Sequence, residues 1–202
     1  MPIETLEQLR SIYPEPKERA LRKQLDHLDA HCRHFIKLSP FVILSTADPQ
    51  GRADASPRGG PPGFVYMVDD KTLLIPDSPG NNRLDSLQNI VQSGYAGLLF
   101  LIPGVDETLR VNGQAGISTD EKDVAACLNE GRREPRSVIR IRVQEAYLHC
   151  PKALMRSSLW DPNARIARDT FPTLNQMIHD QTGDTSPVES QQDMLKRYQS
   201  DL

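Results

Sequence analysis

From Pro40 to Cys150 the chain is cut into short apolar or alternating runs by turn signals, and this texture narrows the possible folds more than any other feature. Phe41-Val42-Ile43-Leu44-Ser45-Thr46 reads as a buried strand, and Asp48-Pro49-Gln50-Gly51 as the turn of a hairpin. Ala53–Pro57, Phe64–Val68, Thr72–Ile75, Tyr95–Ile102 and Thr108–Ser118 follow as strands, with Asp69-Asp70-Lys71 a tight turn between two of them. Ser137–Cys150 is a long strand with Ile139, Ile141 and Val143 on one face and Arg140, Arg142 and Gln144 on the other. Its apolar phase shifts near Glu145, which predicts a bulge. Strands in quick succession, without regular βαβ alternation, predict a mainly β barrel or sandwich rather than a doubly wound sheet.

Helices decorate both ends. Leu6, Leu9, Ile12 and Tyr13 recur at helical spacing, as do Leu21, Leu25, Leu28, Cys32, Phe35 and Ile36, with Pro14 and Pro16 between the two sets. Further helices are predicted from Asn81 to about Val91 and from Thr119 to Asn129, the second opened by Ser118-Thr119-Asp120-Glu121 and closed by Gly131. Two more fall at Leu174–Asp180 and Val188–Tyr198. One domain, 1–202, accounts for this: N-terminal helices over 1–38, a barrel core over 40–160 and a helical tail over 161–202.

The longest apolar run, Gly97–Pro103, is far short of the roughly 20 residues that cross a bilayer, so no membrane partner is expected. A net charge of -3 argues against nucleic acid. The acidic, amphipathic N-terminus does not read as a secretory or transit signal, and three widely spaced cysteines fit a reduced, cytoplasmic setting.

Chemistry gathers in three segments. In Ser56-Pro57-Arg58-Gly59-Gly60-Pro61-Pro62-Gly63 a hydroxyl and an arginine at a strand end precede a stiff Gly/Pro loop, which reads as a rigid hairpin or as a place where backbone approaches a ligand. In Ile75-Pro76-Asp77-Ser78-Pro79-Gly80-Asn81-Asn82-Arg83 a strand ends, a polar turn follows and a helix is expected to start at Asn81 or Asn82. Helix starts attract phosphate, and Arg83 could add a charge-assisted contact. Thr108, Arg110 and Asn112 alternate on one strand face that borders either a ligand or water.

Taken in this order and spacing, the segments resemble the pyridoxamine 5'-phosphate oxidase-like FMN-binding split-barrel family, in particular its general flavin-nucleotide-binding branch. The stretch Tyr147-Leu148-His149-Cys150-Pro151-Lys152-Ala153-Leu154-Met155-Arg156-Ser157-Ser158-Leu159-Trp160 extends the likeness to about Trp160. The resemblance implies a split β-barrel of Greek-key type and FMN as cofactor. It assigns cofactor contacts to Ser56, Pro57, Arg58, Gly59, Ile75, Pro76, Asn81, Asn82, Arg83 and Thr108, with Arg83 at the phosphate-clamping position. Arg156 and Trp160 become candidates to border the substrate. It also implies a homodimer. Pro57-Arg58-Gly59-Gly60 replaces the oxidases' Arg-aliphatic-Lys run, and their C-terminal Arg-x-His is missing from Lys196-Arg197-Tyr198-Gln199-Ser200, so vitamin B6 is not the expected substrate.

The expected function is that of a flavin reductase or oxidase acting on an unidentified small molecule, with NAD(P)H as a candidate donor. The alternatives are a non-catalytic FMN carrier or sensor, and a haem-handling or F420-dependent relative on the same barrel. His27, His31 and His34 have helical spacing that can bind zinc, but Cys32 lies off their face and the pattern is that of an ordinary amphipathic helix, so no metal is expected. Arg132, Arg133, Arg136, Arg140 and Arg142 are expected to be a solvated, salt-bridged surface beside Glu130 and Glu134.

Overall fold

A computed structural model describes residues 2–78, 80–128 and 134–199. Seven antiparallel strands form a single sheet: β1 Phe41–Ala47, β2 Ala53–Gly59, β3 Tyr66–Met67, β4 Thr72–Pro76, β5 Tyr95–Ile102, β6 Val105–Ser118 and β7 Val138–His149. Their order across the sheet is β2-β1-β5-β6-β7-β4-β3. The fold is thus mainly β with helical decoration, a split barrel in which β2 and β3 are the free edges.

Alternation builds the core. Val42 and Leu44 of β1, Leu98 and Phe100 of β5, Leu109 and Val111 of β6, and Ile139, Ile141 and Val143 of β7 all face inward and are buried. The bulge expected near Glu145 is present: Asn112 pairs with Glu145 and Gly113 with Val143, so Gln144 is the extra residue. A second, smaller core of Leu74, Val124, Cys127 and Val138 lies on the other side of β4. Burial pushes the Cys32 thiol up to about 12 and the Cys127 thiol up to about 11, so both are inert packing groups.

The helices are α1 Leu6–Ile12, α2 Glu18–Arg22, α3 Ala30–Leu38, α4 Asp85–Ser93, α5 Glu121–Ala126, α6 Lys152–Ser157, α7 Leu174–Thr182 and α8 Gln191–Tyr198. The second helix expected from the sequence is broken between α2 and α3. There Leu25 exchanges two hydrogen bonds with Ala146 of β7, and the Leu28 amide donates to the Asp70 carbonyl. Pairing with the sheet outcompetes the helical spacing of the leucines. Asp29 then caps α3 by accepting from the Cys32 amide at 2.8 Å.

A shift of register also separates the expected and observed start of α4, which begins at Asp85 rather than at Asn81 or Asn82. Asn82 and Leu84 hold left-handed backbone (φ 58° and 59°), which no helical turn accommodates. The strand expected over Phe64–Val68 shrinks to Tyr66–Met67, because Phe64 and Val65 turn into the core. The end expected for the helix at Asn129, and its Gly131 stop, lie outside the described residues. Among the described residues no helix is long and apolar enough to cross a membrane.

Candidate functional site

The inward face of β2 ends at a cavity. Asp54, Ser56 and Arg58 alternate along that face; beyond β1 they would meet more core, but β2 is an edge strand. They line instead a polar cavity of about 380 Å³ with Asp77, Ser78, Gly80, Asn81, Asn82, Arg83, the first turn of α4, Glu134 and Arg136. The curl of the sheet thus brings the β2 edge beside the segments that follow β4 and precede β7.

Three features make this cavity receptive to an anion. The Nε of Arg58 is buried and has no hydrogen-bond partner among the described residues, an uncommon state for a guanidinium donor. The N-terminus of α4, where Asp85, Ser86 and Leu87 line the cavity, has Leu84 at its cap and no capping side chain, so its first amide donors are unclaimed by a cap. The loop that delivers Arg83 carries two non-glycine residues in left-handed backbone, strain of the kind that clusters at ligand clamps.

Acidic groups temper that reception. Arg83 lies on the surface and is engaged by Asp85, Nε to Oδ2 at 2.9 Å. Asn81 accepts from the Arg83 amide at 3.1 Å, which fixes the turn. Burial pushes the Asp77 carboxyl above its ordinary value, while the guanidinium groups of Arg58 and Arg136 pull the other way. Asp54 accepts from the Ser86 hydroxyl at 2.6 Å and, more weakly, from Thr46 at 3.4 Å, so it ties α4 to the sheet.

Of the residues singled out in the sequence, Ser56, Arg58, Asn81, Asn82 and Arg83 come together in this cavity. Ile75 is fully buried in the core, and Pro76 ends β4 paired with Val138. Pro57 and Gly59 alternate to the opposite face of β2. Thr108, at the far end of β6, pairs with His149. Arg156 is exposed on α6, and Trp160 donates from Nε1 to the Val105 carbonyl at 2.9 Å, which pins the chain to the start of β6. Asp54 was not singled out in the sequence, and its alternation with Ser56 and Arg58 is the signal that could have found it. Ser86, buried at a helix start that the sequence places four residues early, carried no signal. Arg136, expected on a solvated surface, lines the cavity instead; Arg140 is paired with Asp123 at 2.7 Å, and Arg132 and Arg133 lie outside the described residues. His27 precedes α3 and contacts Asp26, so the three histidines do not share a helix. Among the described residues no group of three His, Cys, Asp or Glu is placed to hold a metal ion.

Comparison with known proteins adds three findings. A family model described as pyridoxamine 5'-phosphate oxidase matches residues 28–150. None of the curated proteins matches. Among solved structures, a single-residue variant of Group A Streptococcus HupZ is similar in fold at 20% identity, with a TM-score of 0.51 over 60% of this chain and 99% of that one. General Stress Protein 26 from Bacillus anthracis aligns at 16% identity and a TM-score of 0.42, over 57% of this chain and 88% of that one.

Proposed function

This chain belongs to the pyridoxamine 5'-phosphate oxidase family, and from that membership we propose that it is an FMN-binding oxidoreductase acting on a small molecule. The observation that carries the proposal is the buried, unpartnered Nε of Arg58 in a cavity that also receives Arg83, Arg136 and an uncapped helix start. A phosphate monoester fits this donor set: guanidinium forks, the Ser56 hydroxyl, the Asn81 and Asn82 amides and the first-turn N–H groups all offer hydrogen bonds to an anion.

FMN, when bound, supplies the hydride-accepting ring. The protein's own residues bind and orient. Arg58 and Arg83 neutralise phosphate charge, and Asp85 competes with the ligand for the Nε of Arg83. Ser56 and the two asparagines set the position of the chain beyond the phosphate. Thr108, Arg156 and Trp160 do not line this cavity, and in this proposal they reach a flavin from a second copy of the chain. A homodimer is therefore part of the proposal. It is supported by α1, which buries none of its residues within its own chain and leaves Leu6 and Ile12 exposed.

The test is the colour of the purified protein. The unaltered chain should carry a flavin spectrum that NADH or NADPH bleaches, and the Arg58→Ala and Arg83→Ala variants should be folded and colourless. Unchanged FMN content in both variants would overturn the phosphate assignment. Bound flavin that no nicotinamide reduces, with nitro or quinone acceptors present, would leave a carrier in place of an enzyme.

A further inference from the structure

The cavity beside α4 holds an unpartnered acceptor as well as an unpartnered donor. The donor is Arg58 Nε, buried and without a hydrogen-bond partner among the described residues. The acceptor is the carboxylate of Asp77, one residue beyond β4. The Asp77 amide donates to the Ser137 carbonyl at 3.0 Å, which carries the pairing of β4 with β7 one step further and fixes the residue by its backbone. Its carboxylate, half-buried in the cavity wall, joins no ion pair and accepts no hydrogen bond among the described residues. Burial raises this carboxyl above its ordinary value, against the pull of Arg58 and then Arg136.

The other acids of the cavity are accounted for. Asp54 on β2 is taken up by Ser86, Asp85 at the start of α4 holds Arg83, and Glu134 is exposed before β7. Asp77 is therefore the half-buried carboxylate left without a proton donor. An anion that carries no proton would meet it as a like charge. An anion with a hydroxyl would not, because its oxygens accept from guanidinium while its O–H donates to the carboxylate. One such ligand satisfies both unpartnered groups, each of which is costly to leave unpaired.

We propose that Asp77 is a specificity-determining residue of this cavity: it accepts a hydrogen bond from the hydroxyl of a protonated phosphate, and so selects phosphate over anions without a proton, sulfate and phosphodiesters. This role for Asp77 rests on the reading of the cavity as a phosphate site. One proton lies between ligand and carboxylate, and only hydrogen bonds form. A phosphate monoester brings that proton itself below about pH 6, its second pKa, and above it binding takes one proton up from solvent. Inorganic phosphate keeps a hydroxyl throughout the neutral range, whereas sulfate of the same shape keeps none.

The experiment is equilibrium dialysis of the flavin-free, full-length protein against radiolabelled inorganic phosphate or radiolabelled sulfate at equal ionic strength. At about pH 7.5 phosphate should bind at least about tenfold more tightly, a modest ratio for a site that must hydrogen-bond a ligand hydroxyl. Asp77→Asn, whose neutral amide repels neither ion, should bring the two within about twofold, mainly by strengthening sulfate. The unaltered chain should show the same convergence at about pH 4.5 as Asp77 takes up its proton, an arm that reports even if the variant fails to fold. Equal binding at neutral pH, selectivity that survives in Asp77→Asn, or sulfate binding indifferent to acid would overturn the role of Asp77. Arg58→Gln separates that role from the site itself, since it should abolish binding of both ions. Equal binding that Arg58→Gln abolishes overturns the role of Asp77 and leaves the phosphate site standing. Binding that survives Arg58→Gln, or no binding of either ion, overturns the phosphate site and the role of Asp77 with it.

Discussion

Ser86, in the first turn of α4, donates a 2.6 Å hydrogen bond to the carboxylate of Asp54 on β2. The same carboxylate oxygen receives the longer bond from Thr46, whose hydroxyl in turn accepts from Asn89 one turn further along the helix at 3.0 Å. Two strands and one helix face are thereby clasped through a single acid. Ser86 is buried, and removing its hydroxyl leaves that carboxylate oxygen with only the longer bond from Thr46. The Ser86→Ala variant should lose about 1–3 kcal/mol of stability in urea unfolding. Flavin content should fall with it, since the same clasp sets the helix start at the cavity. Full stability in that variant would mean that Asp54 finds water in place of Ser86.

Arg83 and Asp85 make the next prediction. The acid that holds Arg83 at 2.9 Å competes with any phosphate for the same guanidinium, and it sits at the very helix terminus where phosphate would be favoured. In the proposed flavoprotein Asp85→Asn should bind FMN several-fold more tightly, an effect of about 0.5–1 kcal/mol that shrinks with added salt. Fluorescence titration of the flavin-free protein measures it. Weaker binding would show that Asp85 positions Arg83 for the ligand instead of restraining it.

Gly113 faces the bulge where Gln144 is inserted into β7. A Cβ there would run into the backbone carbonyl of Arg142, which is fixed in the ladder and cannot swing aside as a side chain could. Gly113→Ala should therefore cost more than about 2 kcal/mol. Gly116→Ala, on the same strand with open space around it, should cost far less and serves as the control. Equal losses in the two would mean that strand glycine content, and not the close approach, sets the cost.

How much of this was readable beforehand varies with the range of the interactions involved. Strand β5 was placed from Tyr95 to Ile102 by its apolar run between Gly94 and Pro103, and the bulge by a slip in alternation; both are signals carried along the strand itself. The cavity was half legible, because Ser56 and Arg58 share one strand face and Arg83 stands on a turn. What stayed hidden depended on partners distant in sequence. Leu25 has perfect helical company in Leu21 and Leu28 yet spends its backbone on Ala146. Arg136 looks like one member of a charged surface run, and only the curl of the sheet turns it toward Asp77. Residues on opposite faces of one strand, such as Arg58 and Gly59, were grouped together because they are neighbours in sequence.

Asp77 gives a pH dependence whose sign can be worked out. Burial raises its carboxyl above the ordinary 3.8 in the folded chain, despite Arg58 and Arg136. The native state therefore holds this proton more tightly than the unfolded state does. The stability it contributes is fully present below about pH 3.8 and is lost as pH rises through the higher native value. Asparagine at this position mimics the protonated acid at every pH. Asp77→Asn should match the parent at the acid end of that window and be more stable at pH 7, with the gap opening as pH climbs. Urea unfolding at pH 4.5 and 7 reads the difference. A variant less stable than the parent at pH 7 would show that the attraction of Arg58 and Arg136 for the carboxylate outweighs its burial, and would move Asp77 from a strained cavity wall to a structural counter-ion of the two arginines.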